Sequence, residues 1–288
     1  MNIRVGSRES ALALAQTELV IRMIKEAGTA GDFEICSMKT SGDLTLDRPL
    51  GEVGGKGLFT KELDRALLAG TIDFAVHSLK DIPWGIEKGL KIAAFSNRED
   101  PRDVLILPQG SGKSDRTKAI GCSSLRRQLQ LKKIFPDWET RMIRGNVLTR
   151  LEKLERGEYG ALVLAAAGVK RLGLENRISR VFETPELMPA AGQGIMAVIT
   201  RETDCFDFLD KVSDTESHLC ALAERAFVGA MGGDCGMPIA SFAEIDASGT
   251  LTLHGLFFEG HRELRGMVRG DKNNAKALGV ELARKIQE

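Results

Sequence analysis

The chain has no cysteine pair at metal or redox spacing: its five cysteines, Cys36, Cys122, Cys205, Cys220 and Cys235, are odd in number and scattered. That excludes a zinc ribbon and a thioredoxin-like motif, and it favours a reducing compartment over a disulfide framework. An excess of one charge is also missing. Forty basic side chains balance forty acidic ones, so no overall field draws nucleic acid or an anionic membrane surface, and any anion must be held by local placement. The four histidines, His77, His218, His254 and His261, share no ligand spacing, which predicts no metal site. No apolar run is long enough to span a bilayer, and Met1-Asn2-Ile3-Arg4-Val5 enters a strand pattern at once without the apolar stretch of a signal peptide. A cytoplasmic protein without a membrane segment is expected.

What is present is enough for a large core: 288 residues, 43% of them hydrophobic, predict two or three domains. Ile3 and Val5 alternate into a first strand, Gly6-Ser7-Arg8 reads as a turn, and a helix follows with Leu12, Ala15, Leu19 and Met23 as its apolar face. Residues 33–37 form a second strand. The stretch Gly51-Glu52-Val53-Gly54-Gly55-Lys56-Gly57-Leu58-Phe59 is too rich in glycine for regular structure and reads as a loop carrying Lys56; it lacks the spacing of a nucleotide P-loop, which excludes ATP and GTP. A helix over 60–69 ends at Gly70. The buried-strand run 72–76 then delivers His77-Ser78-Leu79-Lys80-Asp81-Ile82-Pro83, where a Lys-Asp pair stands at a strand's carboxyl end, the place where open α/β sheets bind ligands.

A crossing to a second α/β unit is expected near Asn97, and a return near the segment Pro189-Ala190-Ala191-Gly192-Gln193-Gly194. Between them, strands at 119–122, 139–143 and 161–165 each precede arginines: Arg126 and Arg127 after Ser123-Ser124, Arg144 and Arg150 around Gly145-Asn146, and Arg171 after Gly168. Two arginines in the first turn of a helix oppose its dipole unless an anion sits there. With Arg8 the pattern recurs at strand end after strand end, which points to a ligand with several carboxylates or phosphates. After 215 a helix, three alternating strands and a closing helix predict a small α+β domain, with Cys235 in a glycine turn between them.

On these residues alone three readings stand. A two-domain anion-binding protein would show the strand-end arginines but has no need of Asp81 or of the Cys235 domain. A thiol-nucleophile transferase would use Cys235 transiently and require a histidine base. A third reading makes Cys235 a permanent covalent anchor.

Seven segments resemble the hydroxymethylbilane synthase (porphobilinogen deaminase) family of tetrapyrrole biosynthesis. They are Gly6-Ser7-Arg8-Glu9-Ser10-Ala11-Leu12-Ala13-Leu14, Gly54-Gly55-Lys56-Gly57-Leu58-Phe59, Ala75-Val76-His77-Ser78-Leu79-Lys80-Asp81-Ile82-Pro83, Ser123-Ser124-Leu125-Arg126-Arg127, Arg144-Gly145-Asn146 through Arg150, the 189–194 segment, and Glu224-Arg225 through Cys235 to Pro238. They stand in the family's order across nearly the whole chain. The resemblance implies two periplasmic-binding-protein-like (type II) α/β domains, 1–96 with 193–212 and 97–192, plus a small α+β domain, 213–288. It implies condensation of four porphobilinogen molecules head to tail with loss of ammonia, on a dipyrromethane fixed to Cys235 by a thioether, then hydrolytic release of the linear tetrapyrrole. The product would pass to uroporphyrinogen-III synthase, and a monomer is expected.

By position, the resemblance gives Lys80, Arg126, Arg127, Ser78 and Ser124 to the cofactor, and Arg8, Ser10, Arg144, Arg150 and Arg171 to substrate and growing chain. Asp81 is assigned to the pyrrole N–H groups as the catalytic carboxylate, and the loop with Lys56 and Phe59 would cover the site. Departures from the family pattern are Asp234, Met237, Glu52 and Cys122, which replaces a threonine.

Overall fold

The computed structural model describes residues 2–44, 57–233 and 236–288. Lys56, Glu52, Asp234 and Cys235 therefore lie outside the described residues.

Its strands are β1 (Asn2–Arg8), β2 (Asp32–Met38), β3 (Phe74–Ser78), β4 (Leu90–Phe95), β5 (Asp103–Ile106), β6 (Ile120–Gly121), β7 (Thr140–Arg141), β8 (Ala161–Ala165), β9 (Arg180–Val181), β10 (Met196–Arg201), β11 (Ile239–Ile245), β12 (Thr250–Glu259) and β13 (Arg262–Asp271). The helices are α1 (Ala11–Glu26), α2 (Ser41–Leu44), α3 (Lys61–Leu68), α4 (Leu125–Ile134), α5 (Val147–Glu155), α6 (Ala166–Arg171), α7 (Asp207–Asp210), α8 (Thr215–Ala230) and α9 (Ala275–Gln287).

Three sheets result. The first runs β2-β1-β3-β10-β4 and the second β7-β6-β8-β5-β9. In each, the first three strands are parallel and the fourth is antiparallel to its neighbours: β10 lies against β3 and β4, and β5 against β8 and β9. Both odd strands follow a crossing between the domains, so the two halves are built on one plan. The third sheet is the antiparallel β11-β12-β13, covered by α8 and α9, and forms the small α+β domain.

Helix α1 starts where Ser10, with extended backbone, accepts from the amide of Ala13 at 3.3 Å. Its buried face is Ala13, Gln16, Thr17, Val20, Ile21 and Ile24, one position on from the expected stripe, and Leu12 instead lines the cleft described below. Thr17 tolerates burial because its hydroxyl donates to the carbonyl of Ala13 at 2.9 Å. Gly6 to Arg8 continue β1 rather than turning, and packing is close at Gly6: a Cβ there would stand 2.3 Å from Ile72 Cδ1 and 2.8 Å from Leu63 Cδ2, so those buried side chains would have to shift. The first sheet buries Ile3, Val5, Phe74 and Val76 under α1, and Ala75 and Leu79 with Leu63 and Leu67 of α3 on the other face, the alternation expected of strands.

The crossings, 96–102 and 189–195, touch. Glu99 donates its amide to the carbonyl of Gly194 at 3.1 Å, and a Cβ on Gly194, whose φ is +94°, would come within 2.2 Å of the carbonyl oxygen of Glu99. Only glycine fits that approach.

Candidate functional site

One cleft of about 890 Å³ opens between the two α/β domains. It gathers Arg8, Ser10, Phe59, Ser78, Lys80, Asp81, Ser124, Arg126, Arg127, Arg144, Arg150 and Arg171, together with Gly236, the residue after Cys235. Of the residues expected at the site, only Lys56 and Cys235 fall outside the described ones.

Topology explains the gathering. The parallel strands of both sheets point their carboxyl ends into the cleft: β1 delivers Arg8, β3 delivers Ser78 to Asp81, β6 leads to Ser124 and α4, and β7 leads to Arg144 and α5. The antiparallel strands contribute the opposite end. β5 begins with Asp103, paired with Ala165 at the carboxyl end of β8, and β10 is preceded by Gln193.

Those two meet. Gln193 Nε2 donates to Asp103 Oδ1 at 2.8 Å and to the carbonyl of Pro101 at 2.6 Å. Arg126 Nη2 donates to Asp103 Oδ2 at 2.9 Å, and Arg127 donates twice, Nη2 to Oδ1 at 2.7 Å and Nε to Oδ2 at 3.0 Å. Asp103 is fully buried and both arginines nearly so. The anion required at the start of α4 is therefore in part supplied by the protein itself. Burial works against the Asp103 carboxylate, but the charges of Arg127 and Arg126 and the hydrogen bonds outweigh it and hold the group well below the usual carboxylate range. The sequence gives no periodic signal for this residue, because charged 97–103 reads as a solvated turn; the fourth-strand antiparallel geometry is what carries Asp103 inward.

The remaining cations line the cleft. Lys80 lies 3.5 Å from Gln193 Oε1, and burial, reinforced by the charge of Arg127, pushes its ammonium down to about 8. Burial also pushes Arg150 down to about 10, with Arg127 adding to it, and Arg171 to about 10. Arg150 Nε donates to the carbonyl of Gly145 at 2.8 Å, and Asn146 caps α5 by accepting from the amide of Thr149 at 3.0 Å, so the 144–150 corner is fixed from both sides. Arg171 lies at the end of α6 and donates Nη2 to the carbonyl of Gly194 at 2.6 Å. The Nε atoms of Arg126 and Arg171 are buried with no hydrogen-bond partner among the described residues. Such donors need an acceptor, and an anionic ligand in the cleft is the natural one.

Arg8 stacks on Phe59, its Cζ 4.4 Å from the ring centroid. Ser78 is tied to Gln16, whose Nε2 donates to Ser78 Oγ at 2.9 Å. Ser124 takes the N-cap position of α4 without a side-chain capping bond, while the hydroxyl of Ser123 donates to the carbonyl of Ile143. Gln16, Lys39 and Gln193 line the cleft without having been singled out from sequence; Gln16 sits on a face that hydropathy assigns to the core, and buried glutamines carry no periodic mark.

Asp81 differs from every other acid here. It closes a 3₁₀ turn, Leu79–Asp81, lines the cleft, and makes no hydrogen bond or ion pair to any described residue. A carboxylate left uncommitted among so many cations is available to hold N–H donors or positive charge on a ligand. Among the described residues no cluster of His, Cys, Asp and Glu suits a metal ion, and no helix is long and apolar enough to cross a membrane.

Comparison with known proteins gives the family. Residues 3–206 match the model "Porphobilinogen deaminase, dipyromethane cofactor binding domain", and residues 218–288 match its C-terminal domain. Porphobilinogen deaminases of Ruminiclostridium josui and Acetivibrio thermocellus are 50% and 49% identical, with 99% and 98% of this chain and 97% of each relative covered. That of Chromobacterium violaceum is 42% identical over 99% of this chain and 94% of its own. Among solved structures, the VFT2 domain of Bordetella pertussis BvgS is similar at 15% identity with a TM-score of 0.44, covering 73% of this chain and 86% of that one. With both domain models matched and relatives aligned over nearly their whole lengths, this chain belongs to the porphobilinogen deaminase family.

Proposed function

We propose that the chain is a hydroxymethylbilane synthase: it joins porphobilinogen units head to tail on a dipyrromethane held by Cys235, releases ammonia at each step, and lets go of the linear tetrapyrrole by hydrolysis. The observation that carries this reading is the pairing of an uncommitted carboxylate, Asp81, with the cations Arg8, Lys80, Arg144, Arg150 and Arg171 in one cleft. Each pyrrole unit brings carboxylate side chains and one ring N–H, so it needs several cations and one anion, which is this set.

The cleft fits the cofactor that the family implies. Its volume suits a molecule of a few rings, its walls hold buried guanidinium nitrogens in want of acceptors, and Gly236, the residue after Cys235 in sequence, is part of its lining. Lys80, Arg126, Arg127, Ser78 and Ser124 would hold that group, with Cys235 as its attachment point. Bound there, it supplies the free pyrrole carbon from which the chain grows.

The protein's own residues do the rest. Arg8, Arg144, Arg150 and Arg171 bind the carboxylates of incoming porphobilinogen and of the chain, with Ser10 and Phe59 beside them; Lys56, outside the described residues, is assigned to the same task. When the C–N bond of the aminomethyl group breaks, ammonia leaves and positive charge spreads into the substrate ring. The Asp81 carboxylate accepts the ring N–H and stabilises that charge. As the new C–C bond forms, the attacking pyrrole carbon must lose its ring proton to regain aromaticity, and Asp81 is the carboxylate in the cleft suited to accept it. Asp103 keeps Arg126 and Arg127 in place, so neither must reorganise when carboxylates arrive.

The division into 1–96 with 193–212, 97–192 and 213–288 is part of this reading, supported by the membership of the three sheets. So are a monomeric state, a cytoplasmic location, and delivery of the product to uroporphyrinogen-III synthase. The experiment is incubation of the purified protein with porphobilinogen: ammonia release in step with substrate loss, and a product that cyclises and oxidises to a porphyrin, are expected. Binding of porphobilinogen without ammonia release would instead favour a carboxylate-binding protein on the same fold.

A further inference from the structure

Directly after Asp81 the backbone is held from outside its own domain. Arg225, on α8 of the small domain, donates Nη1 to the carbonyl of Ile82 at 3.0 Å and Nη2 to the carbonyls of Pro83 and Trp84 at 2.8 and 3.2 Å. Its Cζ also stands 5.8 Å from the centroid of the Trp84 ring. One turn further on, Gly229 lets that ring lie flat on the helix: a Cβ there would come within 2.3 Å of Trp84 Cε2. On the other side of Asp81, the amide of Leu79 donates to the carbonyl of Ile195 at 3.0 Å and Leu79 is fully buried, so the start of the 3₁₀ turn is pinned within its own domain. The turn is thus clamped at both ends, and the outer clamp belongs to the helix that leads toward Cys235.

We infer that Arg225 is a positioning residue for Asp81, fixing the catalytic turn against the domain that carries the attachment cysteine. The inference rests on the function proposed above. Three charge-assisted bonds from one guanidinium to three successive carbonyls leave the segment after Asp81 little freedom. Asp81 itself makes no bond to a described residue, so its placement depends on this backbone. Were Arg225 only an adhesive between domains, its loss would lower the folded fraction and leave the surviving molecules fully active.

The test uses the full-length, cofactor-loaded protein. Arg225→Met should lower kcat by about 100-fold, the cost typical of a misplacement near 1 Å, while KM stays within about threefold, because carboxylate binding is left intact. Amide exchange in 79–84 should accelerate, a readout that needs no turnover, and the adduct mass on Cys235 should persist. Arg225→Lys, keeping the charge and part of the bonding, should recover some of kcat. Gly229→Ala, which pushes on Trp84 without touching the guanidinium, should reproduce the effect in kcat and exchange if Arg225→Met folds poorly. A kcat within about twofold of wild type in both Arg225→Met and Gly229→Ala would overturn the inference, and so would an Arg225→Lys variant no better than Arg225→Met. Failure of the underlying function reads differently: wild type itself would release no ammonia.

Discussion

Arg127 and Asp103 meet through two parallel bonds, Nη2 to Oδ1 at 2.7 Å and Nε to Oδ2 at 3.0 Å, with both groups buried beneath the cleft. Arg126 shares the same carboxylate, so one anion holds two cations. Asp103→Asn turns one acceptor oxygen into an amide N–H₂ that faces a guanidinium donor and removes the balancing charge. Breaking such a buried pair costs on the order of 3–5 kcal/mol. The variant is expected to melt well below wild type and to unfold at lower denaturant; an unchanged melting temperature would show that the network contributes nothing.

Asp81→Ala should behave in the opposite way. With no bond to a described residue to lose, the fold should keep its melting temperature to within a few degrees. Turnover should fall by at least about 100-fold, the loss typical of removing a group that acts on developing charge. Ordinary ammonia release by this variant would remove Asp81 from the mechanism.

Lys80 makes the alkaline limb of cofactor capture diagnostic. Its ammonium is pushed down to about 8 by burial and by Arg127, so in the unloaded protein its charge is lost as pH rises through 8. Attachment of the cofactor to unloaded protein, followed by mass, should therefore slow above pH 8. In the loaded enzyme ligand carboxylates beside Lys80 favour the charged form and move the limb of kcat/KM upward. Lys80→Arg should shift the limb of the unloaded protein upward as well, since arginine stays protonated; one limb common to all three would refute the assignment. The same depressed ammonium makes the unloaded fold gain stability between pH 8 and 10.5, where the unfolded chain alone still carries the proton.

His77 sets an acid limit. It is buried, its Nε2 has no partner among the described residues, and burial, with Arg8 nearby, pushes it down to about 4. Because its folded value lies below its unfolded value, the unfolded chain binds the proton first, and stability is lost as pH falls from 6.5 toward 4. The linkage amounts to on the order of 3 kcal/mol across that window. His77→Asn should flatten the decline in denaturation midpoints measured from pH 6.5 to 4.5; a decline as steep as wild type would place its cause elsewhere.

Much of this architecture is legible in the chain because the local signals agree with the fold. The run at 72–76 is β-rich and leads into Ser78, Lys80 and Asp81. Asn146 caps the helix its position announces, and the glycines at 192 and 194 mark the return crossing. What the sequence hides is what tertiary structure alone decides. Hydropathy places Leu12 in the core and gives no reason to bury a glutamine, yet Gln16 is buried against Ser78 and Leu12 lines the cleft. Asp103 reads as one more acid in a charged turn until an antiparallel strand brings its amino end beside the carboxyl ends of its neighbours. Arg225 sits on a helix more than a hundred residues away from the turn it holds, and no local pattern records that contact.

The most direct measurement is the mass of the intact protein, with mapping of any adduct, before and after brief exposure to porphobilinogen. The account predicts excess mass equal to two linked pyrrole units on the peptide containing Cys235, and further pyrrole units added to that same peptide when substrate is present. An unmodified Cys235 peptide in protein that nevertheless releases ammonia from porphobilinogen would contradict it.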